Sequence, residues 1–185
     1  DARQLWAQNF DQDFTTIFDV QDVIAAKVAQ ALTVRWVASR SAHSAPYTQN
    51  PEAYALYASG RFAWTRQTEP SLLQAIVFFE QAIARDPQYA LAYTGLADSY
   101  AVLGAFGMRA PHDVFPKARR AAEKALSIDP DLAAAHSALG HIKMMYERDW
   151  DGAARDYEHA LQLDASLAYA YHRRALLYAM QGDID

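Results

Sequence analysis

Three stretches of the chain copy one another, and that repetition constrains the fold more than any other feature. They are Phe79-Glu80-Gln81-Ala82-Ile83-Ala84-Arg85-Asp86-Pro87, Ala122-Glu123-Lys124-Ala125-Leu126-Ser127-Ile128-Asp129-Pro130 and Tyr157-Glu158-His159-Ala160-Leu161-Gln162-Leu163-Asp164-Ala165. Each has the spacing of an amphipathic helix and ends in Asp followed by Pro or Ala. An Asp-Pro step disfavours helix at the Asp and removes an N–H, so it ends one helix and opens a turn. After each turn a second helical pattern begins, at Ala90-Leu91-Ala92-Tyr93, Ala133-Ala134-Ala135-His136 and Ala168-Tyr169-Ala170-Tyr171. The closing positions Pro87, Pro130 and Ala165 stand 43 and then 35 residues apart. The expected fold is therefore all-α, built from antiparallel helix hairpins.

Composition narrows the chemistry. The 185 residues carry 17 basic and 22 acidic side chains, a formal net charge of −5. That balance argues against general nucleic-acid binding, which needs clustered Lys and Arg to displace phosphate counterions. A hydrophobic share of 52% places the chain among folded proteins and allows a real core. Without Cys there is no disulfide, thiolate metal site or cysteine nucleophile. No apolar run approaches the ~20 residues of a membrane-spanning helix. The start, Asp1-Ala2-Arg3-Gln4-Leu5-Trp6, lacks both an initiator Met and the profile of a signal peptide, and Gln181-Gly182-Asp183-Ile184-Asp185 stops just after a helical pattern. A piece of a longer protein is the expectation.

The repeated pattern resembles the tetratricopeptide repeat (TPR), a helix–turn–helix unit of about 34 residues. The small residue of the first helix is matched by Gly60, Ala97, Gly140 and Ala175, and that of the second helix by Ala75, Ala118 and Ala153. The large residue four positions later is Phe79, Ala122 and Tyr157, with Ala122 the weak match; the next Ala is Ala82, Ala125 and Ala160. The closing Pro is Pro87 and Pro130, with Ala165 a departure. Small residues let two helices approach while the large one fills the gap to the neighbour. The resemblance implies a TPR-type α-solenoid over 53–185, with repeat units near 53–87, 90–130, 133–165 and an unfinished 168–185, after a linker at 46–52.

Within it, helices are expected near 19–38, 52–66, 71–85, 89–104, 114–127, 131–147, 150–163 and 167–181. Asn50 before Pro51 reads as an N-cap, Ser71 with Gln74 as a capping box, and Gly182 as a stop signal. Gln67-Thr68-Glu69-Pro70 lengthens the first turn. An insertion around Gly104–Pro111 brings Phe106 and Met108 to a loop, where they either fold back on the solenoid, the preferred reading, or form a partner-binding finger.

Residues 1–45 do not fit the repeat. Gln4–Phe10 alternates as a strand would, and Ile17–Leu32 has apolar residues at helical spacing. Leu5-Trp6, Phe14, Ile17-Phe18, Gln21-Asp22, Ile24-Ala25 and Val28-Ala29 resemble the end of a TolB-amino-terminal-like domain, a short strand and helix remnant ahead of the repeats. Such relatives are multidomain bacterial signalling proteins. The resemblance implies a carboxy-terminal regulatory or sensory part, behind either a winged-helix DNA-binding domain or an adenylate/guanylate cyclase domain. The compartment stays open: cytoplasmic, or extracytoplasmic where the parent carries a membrane span.

Enzymatic motifs are missing. There is no Gly-rich phosphate loop, no Gly-x-Ser-x-Gly elbow and no dinucleotide fingerprint. The histidines His43, His112, His136, His141, His159 and His172 form no His-Glu-x-x-His helix and no i, i+4 pair, although His141 and His172 both map near the inner surface. Asp149 and Asp151 flank Trp150 at a helix start, where capping is the expected role. No catalytic residue, metal or cofactor is expected.

The surface left for function is the groove lined by the first helix of each repeat. Family groove positions fall on Tyr54, Tyr57, Arg61 and Trp64; on Leu91, Thr94, Asp98 and Val102; on Ser137, His141, Met144 and Met145; and on Tyr169, His172, Arg173 and Leu176. Tyr, Trp, Met and Arg are enriched at binding centres, though Trp64, Met144 and Tyr169 equally suit packing between helices. Chaperone-binding members hold a peptide carboxylate with Lys and Asn, whereas those positions here hold Tyr57, Arg61 and Ala138, which disfavours that ligand. The expected partner is a protein or peptide segment with apolar anchors, with neither nucleic acid nor membrane insertion. A homodimer through the apolar side of the last helix, with Leu176, Leu177, Tyr178 and Met180, is the third expectation.

Overall fold

A computed structural model of the chain describes residues 48–182. The strand and helix expected in 1–45 lie outside the described residues. Helices α1 (Pro51–Trp64) and α2 (Glu69–Arg85) form the first hairpin, and α3 (Ala90–Ala105) and α4 (Pro111–Ile128) the second. The third pairs α5 (Ala133–Ile142), extended by a π-helical turn Lys143–Glu147, with α6 (Trp150–Leu163); α7 (Ala168–Gln181) follows. Each helix packs on its hairpin partner, and the first helices also pack on one another, α1 on α3, α3 on α5 and α5 on α7. Among the described residues the fold is all-α, a solenoid of antiparallel hairpins.

The turns between hairpins are alike in detail. Asp86, Asp129 and Asp164 end their helices in extended backbone, with φ of −143°, −133° and −142°. Each carboxylate accepts a hydrogen bond from the N–H two residues on, in Gln88 (2.9 Å), Asp131 (3.2 Å) and Ser166 (2.9 Å). This Asx turn explains why Ala165 is tolerated where the other repeats have Pro. The Asp side chain, present in all three, organises the turn, and proline only reinforces it.

Local capping follows the sequence in part. Asn50 accepts from Glu52 and Ala53 N–H, Asp149 accepts from Gly152 N–H, and Gly182 closes α7 at φ +82°. The second helix starts earlier than expected. Its N-cap is Thr68, which forms a capping box with Ser71 rather than Ser71 with Gln74, because Pro70 sits in the first turn and moves the helix start back to Glu69. The helix expected over 131–147 is α-helical only to Ile142. The π-helical turn that follows ends at Arg148 in left-handed backbone (φ 60°), with Met144 buried and Tyr146 stacked on Phe115 at 4.8 Å.

Within and between hairpins, bulk and space are matched. A Cβ on Gly60 or Gly95 would lie 2.6 or 2.5 Å from the Phe79 ring, so that one aromatic seats against two first helices only because both present glycine. Tyr157 sits likewise against Gly140, where a Cβ would come within 2.7 Å. In repeat two, where Ala122 is small, Phe115 and Ile142 supply the bulk of the same cluster. The inserted loop divides its two apolar residues: Met108 folds back on the core beside Trp64, Leu72 and Leu103, while Phe106 stays 68% exposed. On α7, Leu176, Tyr178 and Met180 are exposed, but Leu177, expected on the same open face, is fully buried with Met144 and Tyr157.

Candidate binding surface along the first helices

The face formed by α1, α3, α5 and α7 is Ala-rich, so its few large or polar side chains stand out. At its centre Arg173 of α7 is 3% exposed. One guanidinium nitrogen donates to Asp98 of α3 at 2.6 Å and the other terminal nitrogen donates to Ser137 of α5 at 3.1 Å. Three repeats thus converge on one side chain. The same guanidinium lies 4.4 Å from the centre of the Tyr169 ring, a cation–π contact along its own helix. Tyr169 meets Trp64 of α1 edge to face at 5.4 Å, and Arg61 lies 5.1 Å over the Trp64 ring. The result is a row, Arg61–Trp64–Tyr169–Arg173, that crosses from the first hairpin to the last helix.

Electrostatics in this row are set by burial. His141 is buried beside Arg173 and His172; loss of hydration first, then the charge of Arg173, then that of His172, hold its imidazole well below the ordinary histidine pKa, so it is neutral at pH 7. Three buried nitrogens, Trp64 Nε1, His141 Nδ1 and Arg173 Nε, have no hydrogen-bond partner among the described residues. Among those residues no group of three His, Asp or Glu side chains could hold a metal ion.

The sixteen residues expected along this face separate into four kinds. Arg61, Tyr169, His172 and Leu176 are exposed, and Tyr54, Tyr57, Leu91 and Met145 are half-buried. Tyr57 is wedged between Phe79 (5.8 Å) and Tyr89 (5.1 Å), so much of its ring serves packing. Thr94, Val102 and Met144 are buried within the helix packing and offer no surface: the Thr94 hydroxyl donates to Ala90 O, Val102 joins Leu72 and Leu103, and Met144 lies under Tyr157. Trp64, Asp98, Ser137, His141 and Arg173 are buried but belong to the central polar cluster. Sequence reasoning placed Asp98 and Arg173 on this face without pairing them. The signal available was Asp98, the one charged residue of α3, set among Ala, Gly, Ser and apolar side chains.

No family model matches the chain, and no curated protein matches it. Solved structures do. The first TPR of Spaghetti (RPAP3) bound to the HSP90 peptide SRMEEVD is 18% identical, with a TM-score of 0.53, covering 71% of this chain and 94% of that one. The Sgt2 TPR domain from Aspergillus fumigatus is 22% identical, with a TM-score of 0.57, over 72% and 82% of the two chains. The TPR2B domain of yeast Sti1, in complex with pHsp70, is 20% identical, with a TM-score of 0.54, over 70% and 95%. The fold is a TPR solenoid. At such identities the likeness concerns architecture alone. In this TPR solenoid, no described helix is long and apolar enough to cross a membrane.

Proposed function

We propose that the described repeats form a non-catalytic module that binds a peptide or protein segment across the face of α1, α3, α5 and α7. The exposed side chains Arg61, His172 and Leu176 on this face carry this reading, because they offer charge, hydrogen-bonding capacity and an apolar anchor to a segment laid across it. Two of the similar structures hold chaperone segments, which supports a peptide as the kind of ligand. Tyr57, Arg61 and Ala138 at the expected carboxylate-clamp positions favour a segment with apolar anchors over a chaperone tail. The test is selection of a random peptide library on the chain, followed by titration of a selected peptide against an Arg61→Ala, His172→Ala variant. Both side chains are exposed, so the variant keeps its helical circular dichroism. Affinity falls at least ~10-fold if the face binds the peptide; unchanged affinity in the folded variant overturns the assignment.

On the wider role, we propose that the chain is the carboxy-terminal regulatory or sensory part of a bacterial transcriptional regulator. The TolB-like resemblance of Leu5–Ala29 supports that reading. Sequencing the intact reading frame tests it: a winged-helix domain ahead of Asp1 bears it out, whereas a cyclase domain makes the module the regulatory end of an enzyme.

A further inference from the structure

In a repeat solenoid each unit normally touches only its neighbours. Two contacts in this one break that rule. Arg173 reaches past repeat three to Asp98 in repeat two, and Tyr169 reaches the whole way to Trp64 in repeat one. Both start on α7, within one turn of each other, and both cross the face on which a partner would lie. They also close it imperfectly: Arg173 Nε and Trp64 Nε1 are buried N–H donors without an acceptor among the described residues. An unpaired buried donor weakens the state that contains it. The closed arrangement therefore combines an ion pair with two unpaired donors, so its net advantage is smaller than the ion pair alone would give.

We infer that α7 is a gate over the face of the first helices, latched shut by Arg173 on Asp98 and Ser137, with Arg173 and Tyr169 standing where a partner's side chains would otherwise sit. Its consequence for binding rests on the peptide-binding reading above, but the gate itself is measurable without any ligand. Opening moves α7 away from α3 and α1 while Leu177 keeps its base on Met144 and Tyr157. The intrinsic affinity of the face is then reduced by the fraction of molecules that are open.

The chain has no Cys, so two can be introduced for spin labels at exposed Gln81 and Ala175, and their separation read by pulsed dipolar spectroscopy. The unaltered latch gives one narrow distance distribution. Asp98→Asn adds a longer-distance population, and Asp98→Arg combined with Arg173→Asp restores the single one. A folded Asp98→Asn chain with an unchanged distribution overturns the gate. Should Asp98→Asn fail to fold, Arg173→Lys, which keeps the charge but loses the two-pronged reach, decides in the same way: a longer population supports the gate and an unchanged distribution overturns it. A library-selected peptide binds the opened variant ~10-fold more tightly than the latched chain. If no peptide is selected at all, the binding reading fails while the distance measurement still judges the gate.

Discussion

The carboxylate of Asp98 and the guanidinium of Arg173 are 75 residues apart in sequence and 2.6 Å apart in space, both almost wholly buried. Asp98 is the one charged residue of α3, and Arg173 is further bonded to the Ser137 hydroxyl and stacked on Tyr169. Removing one member leaves a buried charge uncompensated. Asp98→Leu and Arg173→Met are each expected to lower unfolding stability by about 3 kcal/mol or more, whereas the two together cost markedly less than their sum. Urea denaturation of the four chains forms a double-mutant cycle, and additive losses would show that the pair is not coupled.

Stability should depend on pH through His141. Its imidazole is neutral in the folded chain because burial, and then Arg173 and His172, disfavour the cation. The unfolded chain takes up a proton near the ordinary value of about 6.5, while the folded chain resists it until much lower pH. Between those two values the unfolded state binds more protons, so stability is full above pH ~6.5 and is lost progressively as pH falls. Denaturation midpoints measured between pH 8 and 5 test this; His141→Gln should flatten that part of the curve.

Phe79 depends on the two glycines it touches. Alanine is the better helix former by about 1 kcal/mol, so on propensity alone Gly60→Ala or Gly95→Ala would stabilise. A Cβ at either site would stand within 2.6 Å of ring carbons of a fully buried side chain, and that crowding decides the sign. A net loss of about 1–2 kcal/mol is expected for each, recovered when Phe79→Leu is added. Thermal denaturation of the single and double variants reads both effects.

The turn after α6 lacks the proline of the other two, yet keeps the Asx geometry through Asp164. Asp164→Ala removes the bonds from Ser166 N–H and Ser166 hydroxyl and is expected to cost about 1 kcal/mol. Ala165→Pro is expected to add about 0.4–1 kcal/mol, because its counterparts Pro87 and Pro130 occupy the same turn and the ring restricts the unfolded chain. A stabilising Asp164→Ala would show that the turn is organised by something else.

Leu176 and Met180, about one turn apart on α7, leave exposed apolar surface, and we propose that the chain self-associates through it at high concentration. Light scattering should show a concentration-dependent rise in mass that Leu176→Glu with Met180→Glu abolishes. Leu177 is unsuited to that test, since it is buried and its loss would unfold α7.

What could be read without coordinates was what depends on neighbours in sequence. Helical spacing, the Asp that ends each second helix, the N-caps Asn50 and Asp149 and the small residues facing Phe79 and Tyr157 all act over a few residues or within one hairpin. Even there, Thr68 replaced Ser71 as the cap because one proline shifted the helix start, and the π-helical turn at Lys143–Glu147 had no signature in an otherwise regular pattern. The face of the first helices was a different matter. Its residues were placed on the right helices, but whether each is offered to solvent, spent on packing or bonded to a distant repeat follows from the stacking of hairpins, each of which adds a small rotation that accumulates over three repeats. The repeat resemblance assigned Asp98 and Arg173 to one face; only the stacking of the hairpins brought a charge from repeat four onto a charge in repeat two.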